Sequence, residues 1–183
     1  MTTFGFVFAH LGGPSHGLAD GLLHPLLGPD HLLAMVAVGI VASVTAARTE
    51  RPIARMGAWA APLAFLAGMT AGGALGLGGW AFPAVELAIV VSVVALGVAV
   101  AGAMGDAAIW MPLLALAGLA HGNAHGAEAP VAANPALYVA GFLAATVALH
   151  LGGVAIGSAL RRRPLLRVTV GMGVAGAGML LLV

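Results

Sequence analysis

The chain has 183 residues, of which 61% are hydrophobic and only 7% are charged, and its mean hydropathy is +1.08. Soluble domains carry about 25% charged residues, so this composition excludes a soluble protein and indicates an integral membrane protein. Cysteine is absent and every basic residue outside histidine is arginine, which excludes disulfides, thiolate sites and a lysine-dependent phosphate-binding loop.

The first predicted element is a short helical segment that begins near Ser15 and ends in a turn at residues 25–28. Pro25 disfavours helix at the residue before it, Gly28 permits a turn, and Pro29 suits the first position of a new helix. Polar backbone at membrane depth is tolerated only where it is buried in protein or lines a cavity. We therefore expect a broken N-terminal segment at a cavity, followed by the first full span.

Six stretches are long and apolar enough to cross a membrane, since a spanning helix needs about 20 apolar residues. Turn or charge signals such as RTERPIAR and RRRP separate them. The predicted fold class is all-α: a polytopic integral membrane protein, built as a compact bundle of six transmembrane helices that forms one transmembrane domain over residues 1–183. The predicted spans are residues 29–47, 57–78, 84–104, 108–125, 135–160 and 165–183.

The arginines predict the orientation of the chain. They lie in the first loop, at residues 48–55, and around the fifth loop, at residues 161–167, whereas the second and fourth loops contain none. By the positive-inside rule, loops one, three and five face the cytoplasm and both termini lie outside.

Glycines recur at four-residue intervals in two of the predicted spans and once more in a third. Helices in lipid associate through close backbone contact at such small residues, so we expect these glycines to lie at helix interfaces. They are Gly68, Gly72 and Gly76, then Gly118, Gly122 and Gly126, and finally Gly153 with Gly157.

Two clusters of ionisable residues stand out, because such residues are costly inside a membrane and are therefore candidates for function. His24, Asp30 and His31 surround the predicted turn. An unbroken helix would hold the two histidines about 10.5 Å apart along its axis, but the turn can fold His24 back toward Asp30 and His31. His121 and His125 are four residues apart on one helical face, the spacing at which two imidazoles bind one metal ion. Both clusters lie toward the predicted outer side, so they can form one metal site.

Further ionisable residues are candidates for additional metal ligands or for a pathway to the site. For several of them a purely structural role is equally well supported. A carboxylate is favoured at a helix N-terminus by the helix dipole, a histidine within a span often forms an interhelical hydrogen bond, and the polar repeat on the leading segment is typical of an interfacial helix surface. These residues are Glu86, Glu128, His150, His16, Asp20 and His10.

The two clusters together resemble the HupE/UreJ family of small membrane proteins. The family pattern H-P-x-x-G-x-D-H is matched by His24, Pro25, Gly28, Asp30 and His31, and the pattern H-G-x-A-H-G-x-E by His121, Gly122, Ala124, His125, Gly126 and Glu128. The stretch GFLAATVALHLGG around His150 also resembles the fifth span of the family. The resemblance covers most of the chain and implies a nickel, sometimes cobalt, permease associated with nickel supply to hydrogenase and urease.

We therefore expect an importer of a divalent transition metal rather than an enzyme. Mixed nitrogen and oxygen ligands without cysteine suit Ni²⁺, Co²⁺ or Zn²⁺, and the ion is the substrate. The family resemblance implies Ni²⁺ in the first place. Two charges crossing 100 mV gain about 4.6 kcal/mol, so facilitated, potential-driven transport across the bacterial inner (cytoplasmic) membrane suffices. Because imidazoles must be neutral to bind, uptake should weaken near pH 5–6. The expected partners are the metal ion and the lipid bilayer; the sequence permits an oligomer, and we expect no nucleic acid.

Two other classes of protein stay open. A zinc-dependent intramembrane hydrolase would use histidines and carboxylates to hold a metal-bound water as nucleophile. A haem-binding electron-transfer subunit would use His121 and His150 as axial ligands. The haem hypothesis leaves His24, Asp30 and His31 without a role, so the hydrolase is the stronger alternative.

Overall fold

The structure is a computed structural model that describes residues 17–46, 52–102, 107–129 and 134–182. All regular secondary structure in these ranges is α-helical, which confirms the predicted all-α class. The described helices are, in chain order, α1 (Gly17–Leu27), α2 (Pro29–Ala46), α3 (Pro52–Leu77), α4 (Val85–Gly102), α5 (Ala107–Ala127), α6 (Pro135–Leu160) and α7 (Pro164–Leu180).

Four of the described helices are long and apolar enough to cross a membrane. They contribute Pro29–Ala46, Trp59–Leu77, Val85–Gly102 and Pro135–Leu160. Helix α7 is apolar but has only 17 residues, and α5 has 21 residues with three polar side chains near its end. The membrane character of the chain rests on the four apolar helices, and the count of six spans stays a prediction.

The N-terminal break is narrower than the sequence predicts. Helix α1 continues through Pro25 to Leu27, and Gly28 alone separates it from α2, whereas the expected turn covered residues 25–28. A proline within a helix removes one backbone hydrogen bond without necessarily ending the helix. The backbone also stays bonded across the break, because the Gly28 amide donates to the His24 carbonyl at 3.2 Å and the Leu32 amide donates to the Gly28 carbonyl at 2.9 Å.

Helices α3 and α5 pack with their backbones in direct contact. A Cβ atom on any of six glycines would overlap a backbone atom of the other helix. These are Gly68, Gly72 and Gly76 of α3, and Gly118, Gly122 and Gly126 of α5. Residues 65, 69 and 73 face residues 118, 122 and 126 in order, so the two helices run parallel. The predicted glycine interfaces are therefore present in this pair.

Helix α6 packs parallel to the consecutive helices α1 and α2. Gly21 and Gly141 bring α1 against the first half of α6, and Gly39 and Gly153 bring α2 against its second half. Helix α4 packs antiparallel on α7 through Gly97 and other small residues. The main hydrophobic core lies around α2, whose side chains are buried over most of its length.

Candidate metal centre

Four histidine side chains from three helices lie together where α1, α2 and α5 meet. The ring centroid of His125 is 4.5 Å from that of His24 and 4.1 Å from that of His31. His31 is also 5.0 Å from His121 and 6.1 Å from His24. The structure thus brings the two ionisable clusters of the sequence into one group, which we call the histidine cluster.

Asp30 holds His31 in one orientation. Its Oδ1 accepts a hydrogen bond from the His31 backbone amide at 2.9 Å and lies 2.8 Å from His31 Nδ1. A carboxylate can only accept, so Nδ1 carries the proton and the lone pair is on Nε2, which is buried without a hydrogen-bond partner among the described residues. A Cβ at Gly28 would come within 2.9 Å of His31 Nδ1, so glycine at the helix break leaves room for this pair.

The backbone of α5 orients the His121 ring in a similar way. Its Nδ1 lies 2.9 Å from the Ala117 carbonyl oxygen, which can only accept, so the free lone pair is again on Nε2. His125 is 2% exposed, packs on Phe142 with ring centroids 4.1 Å apart, and has no partner for either ring nitrogen among the described side chains and backbone. The cluster therefore presents buried imidazole nitrogens that no protein group within the described ranges satisfies.

The rings of the histidine cluster contact one another as packed aromatic groups. Their planes are inclined at 88° for His31 and His121 and at 48° for His31 and His125. Within the described part of the chain, no group of three His, Asp or Glu side chains has its donor atoms placed to hold a metal ion. Ligation by three or more of these residues therefore requires side-chain rotations that turn the free nitrogens toward one point.

Carboxylates lie on the exposed side of the histidine cluster. Glu128 follows the last turn of α5, and its Oε2 is 3.8 Å from His24 Nε2. Partial burial raises the pKa of the Glu128 carboxyl, and the carboxylate of Glu86, in the exposed first turn of α4, raises it further. Asp20 lies one turn before His24 on α1 and is partly exposed. The predicted candidates His10 and His16 lie outside the described residues.

His150 does not join the histidine cluster. It is buried in α6, and the ring of Phe65 lies 5.6 Å from it and 5.5 Å from His121. His150 thus lies beyond a phenylalanine ring that also packs on the cluster.

Comparison with known proteins places the chain in a family. It matches the family described as "HupE / UreJ protein" over residues 1–181. The chain belongs to the HupE/UreJ family. It is also 43% identical over 154 residues to Protein HupE of Rhizobium leguminosarum bv. viciae, an alignment that covers 82% of this chain and 75% of that protein. No solved structure matches the chain. The family resemblance inferred from the two motifs is confirmed.

The structure of this HupE/UreJ protein adds two residues that the sequence analysis missed. Asn123, between the two α5 histidines, accepts a hydrogen bond from the Phe82 amide at 2.7 Å and donates to the Trp80 carbonyl at 2.6 Å. It thereby holds the α3–α4 loop against α5, and its signal in the sequence was an amide inside an apolar helix. Phe65 gave no signal, because a phenylalanine in a span is indistinguishable from ordinary core.

Proposed function

We propose that this HupE/UreJ protein imports a divalent transition-metal ion, nickel in the first place, through the histidine cluster. One observation carries the proposal: His31, His121 and His125 converge from two helices, and each has a buried ring nitrogen without a partner among the described residues. Buried polar groups are normally hydrogen-bonded, so unpartnered ones call for an explanation such as a ligand. Histidine is the commonest metal ligand among protein side chains, so a metal ion is the ligand that we propose.

The donor set defines the class of ion. Imidazole nitrogens with nearby carboxylate oxygens suit Ni²⁺, Co²⁺ and Zn²⁺, whereas the absence of cysteine makes a soft-metal site less suitable. Asp30 acts by holding His31 and by adding negative charge beside the ion, as carboxylates that bond to metal-binding histidines do. His24 and Glu128 complete the exposed side of the cluster.

Entry of the ion begins at the carboxylates on the exposed side. Glu86 and Glu128 attract a hydrated cation, and the cluster then replaces part of its water with imidazole nitrogens. In the topology inferred from the arginines this side faces outward, so an inside-negative potential of 100 mV favours inward movement of a divalent ion by about 4.6 kcal/mol. Facilitated diffusion through the inner membrane is therefore sufficient for uptake.

A zinc-dependent intramembrane hydrolase is the second candidate. A cavity of about 170 Å³ reaches His125 and is lined mainly by apolar residues of α3 and α6, which would suit an apolar substrate beside a metal-bound water. A haem between His121 and His150 is disfavoured, because the Phe65 ring packs against both of the imidazoles that would have to face one iron.

Uptake of ⁶³Ni²⁺ into proteoliposomes tests the proposal, with wild type compared with His121→Ala and His31→Ala. The control is Thr169→Val, which changes an exposed residue of α7 away from the cluster. Saturable uptake that both histidine variants lose and the control keeps supports import, and competition by Co²⁺, Zn²⁺ and Cu²⁺ then ranks the ions. If no tested ion enters the vesicles while purified protein still binds metal, import is wrong and the hydrolase becomes the leading hypothesis.

A further inference from the structure

His150 is a buried histidine that the histidine cluster does not use. Its side chain lies in the middle of α6, is 4% exposed, and has an Nε2 atom without a hydrogen-bond partner among the described residues. The backbone of α6 at this point is pressed against α2, because a Cβ on Gly39 would overlap the His150 carbonyl oxygen. An imidazole with a free nitrogen is thus fixed deep in the protein.

The depth of His150 follows from the helix geometry. His125 of α5 contacts Phe142 of α6, which sets these two residues at one level. An α-helix rises about 1.5 Å per residue, so His121 lies about 6 Å below this level on α5 and His150 about 12 Å below it on α6. His150 is therefore roughly one helical turn deeper than the lowest histidine of the cluster.

Phe65 packs against both of these imidazoles. It is fully buried, and its ring centroid is 5.5 Å from that of His121 and 5.6 Å from that of His150. Its backbone has no room to move toward α5, because a Cβ on Gly118 would already overlap the Phe65 carbonyl oxygen. The Phe65 ring can move away from the two imidazoles only by rotation of its side chain.

We propose that His150 is a second binding position for the transported divalent metal ion, and that Phe65 is the barrier between this position and the histidine cluster. The inference rests on the proposed import function and adds the route by which the ion leaves the cluster. His121 is then the last ligand above the barrier, and His150 is the first ligand below it.

The two positions differ in the affinity for the metal ion that their ligands provide. The cluster offers several imidazoles to one ion, whereas His150 offers one, so the second position binds the ion more weakly. This order suits transport, because an ion must be bound well enough to enter and weakly enough to leave. The apolar ring of Phe65 excludes water from the path between the two positions. The face of the ring can also attract a passing cation within about 6 Å of its centroid.

Equilibrium dialysis of purified protein with ⁶³Ni²⁺ tests the second position directly. Wild type should show a tight and a weak class of bound Ni²⁺. We expect His150→Leu and the polar variant His150→Gln to lose the weak class and to keep the tight dissociation constant within about twofold. The control Thr146→Val, one turn away on α6, removes a hydroxyl that donates to the Phe142 carbonyl and should keep both classes. The proposal is wrong if both His150 variants keep the weak class, or if both weaken the tight class tenfold or more.

Transport measurements test the barrier. In proteoliposomes, His150→Leu should lower the maximal rate of Ni²⁺ uptake at least tenfold and leave the half-saturating concentration within about twofold. Phe65→Ala should raise the leak of Mn²⁺ at least tenfold, whereas Phe65→Leu should keep it at the wild-type level; Phe65→Val replaces the alanine variant if that protein does not fold. An unchanged Mn²⁺ leak in the smaller variant refutes the barrier.

The binding and transport results separate the two proposals. If wild-type vesicles take up no Ni²⁺ but dialysis shows a weak class that depends on His150, import is wrong and the second position stands. If uptake is saturable but no bound Ni²⁺ depends on His150, import stands and the second position is wrong.

Discussion

Substitution of Asp30 tests whether this residue orients His31 or binds the metal ion directly. Asp30 Oδ1 accepts from both the backbone amide and the imidazole of His31, at 2.9 Å and 2.8 Å. Asp30→Asn keeps an oxygen that can accept both bonds but removes the negative charge. Asp30→Ala removes the oxygen as well, so that the His31 ring is free to rotate and to change its protonated nitrogen.

The size of each effect follows from these two bonds. Loss of a group that orients a metal-binding histidine costs 10–100-fold in metal affinity, or about 1.4–2.7 kcal/mol. Because Asp30→Asn keeps the geometry, we expect a loss near tenfold. Because Asp30→Ala loses both geometry and charge, we expect a loss near 100-fold.

Calorimetric titration of purified protein with Ni²⁺ measures both values. Asp20→Asn is the matched control, since it removes the same charge from α1, and its affinity should stay within about twofold of wild type. Equal, large losses in Asp30→Asn and Asp30→Ala would show that Asp30 binds the metal directly. Wild-type affinity in both variants would refute the reasoning altogether.

Three further predictions follow from the packing and the titratable groups. Asn123→Ala leaves two partly buried loop groups without a partner and should cost about 1–3 kcal/mol, seen as a thermal midpoint lowered by several degrees in detergent; an unchanged midpoint contradicts the loop-anchoring role. Gly122→Ala places a Cβ onto the backbone of α3 and should lower the yield of folded protein severalfold, whereas Gly176→Ala, with open space around it, should not; similar yields for the two would contradict the α3–α5 interface. Uptake should fall as the pH is lowered from 7.5 to 5, because partial burial and the carboxylate of Glu86 raise the pKa of Glu128, so that this carboxyl loses its charge at a higher pH than an exposed glutamate; a flat profile would count against a role of Glu128 at the entrance.

The sequence predicted those parts of the site that depend on local geometry. The four-residue spacing of His121 and His125 places both on one helix face in any α-helix, and the glycine at position 28 marks the helix break. The end of α1 was misjudged because Pro25 reads as a helix stop, whereas in the structure the helix continues past it. Local signals thus gave the correct helix face and a less accurate helix end.

The remaining parts of the site depend on contacts between distant segments. His24 meets Glu128, more than 100 positions later, only because the end of α1 lies close to the end of α5. Phe65 contacts both His121 and His150 through the packing of three helices, and none of these contacts leaves a periodic pattern in the sequence. Their prediction would have required the arrangement of the helices as well as their positions along the chain.

The pairing of the helices divides the histidine cluster between two bodies. His24 and His31 belong to the unit in which α1 and α2 are locked onto α6, and His121 and His125 belong to the unit of α3 and α5. Glycines hold the helix backbones close together within each unit, whereas the side chain of His31 contacts His121 and His125 across the boundary between the units. In the proposed function, an ion bound by His31 and His121 together therefore joins the two units across this boundary.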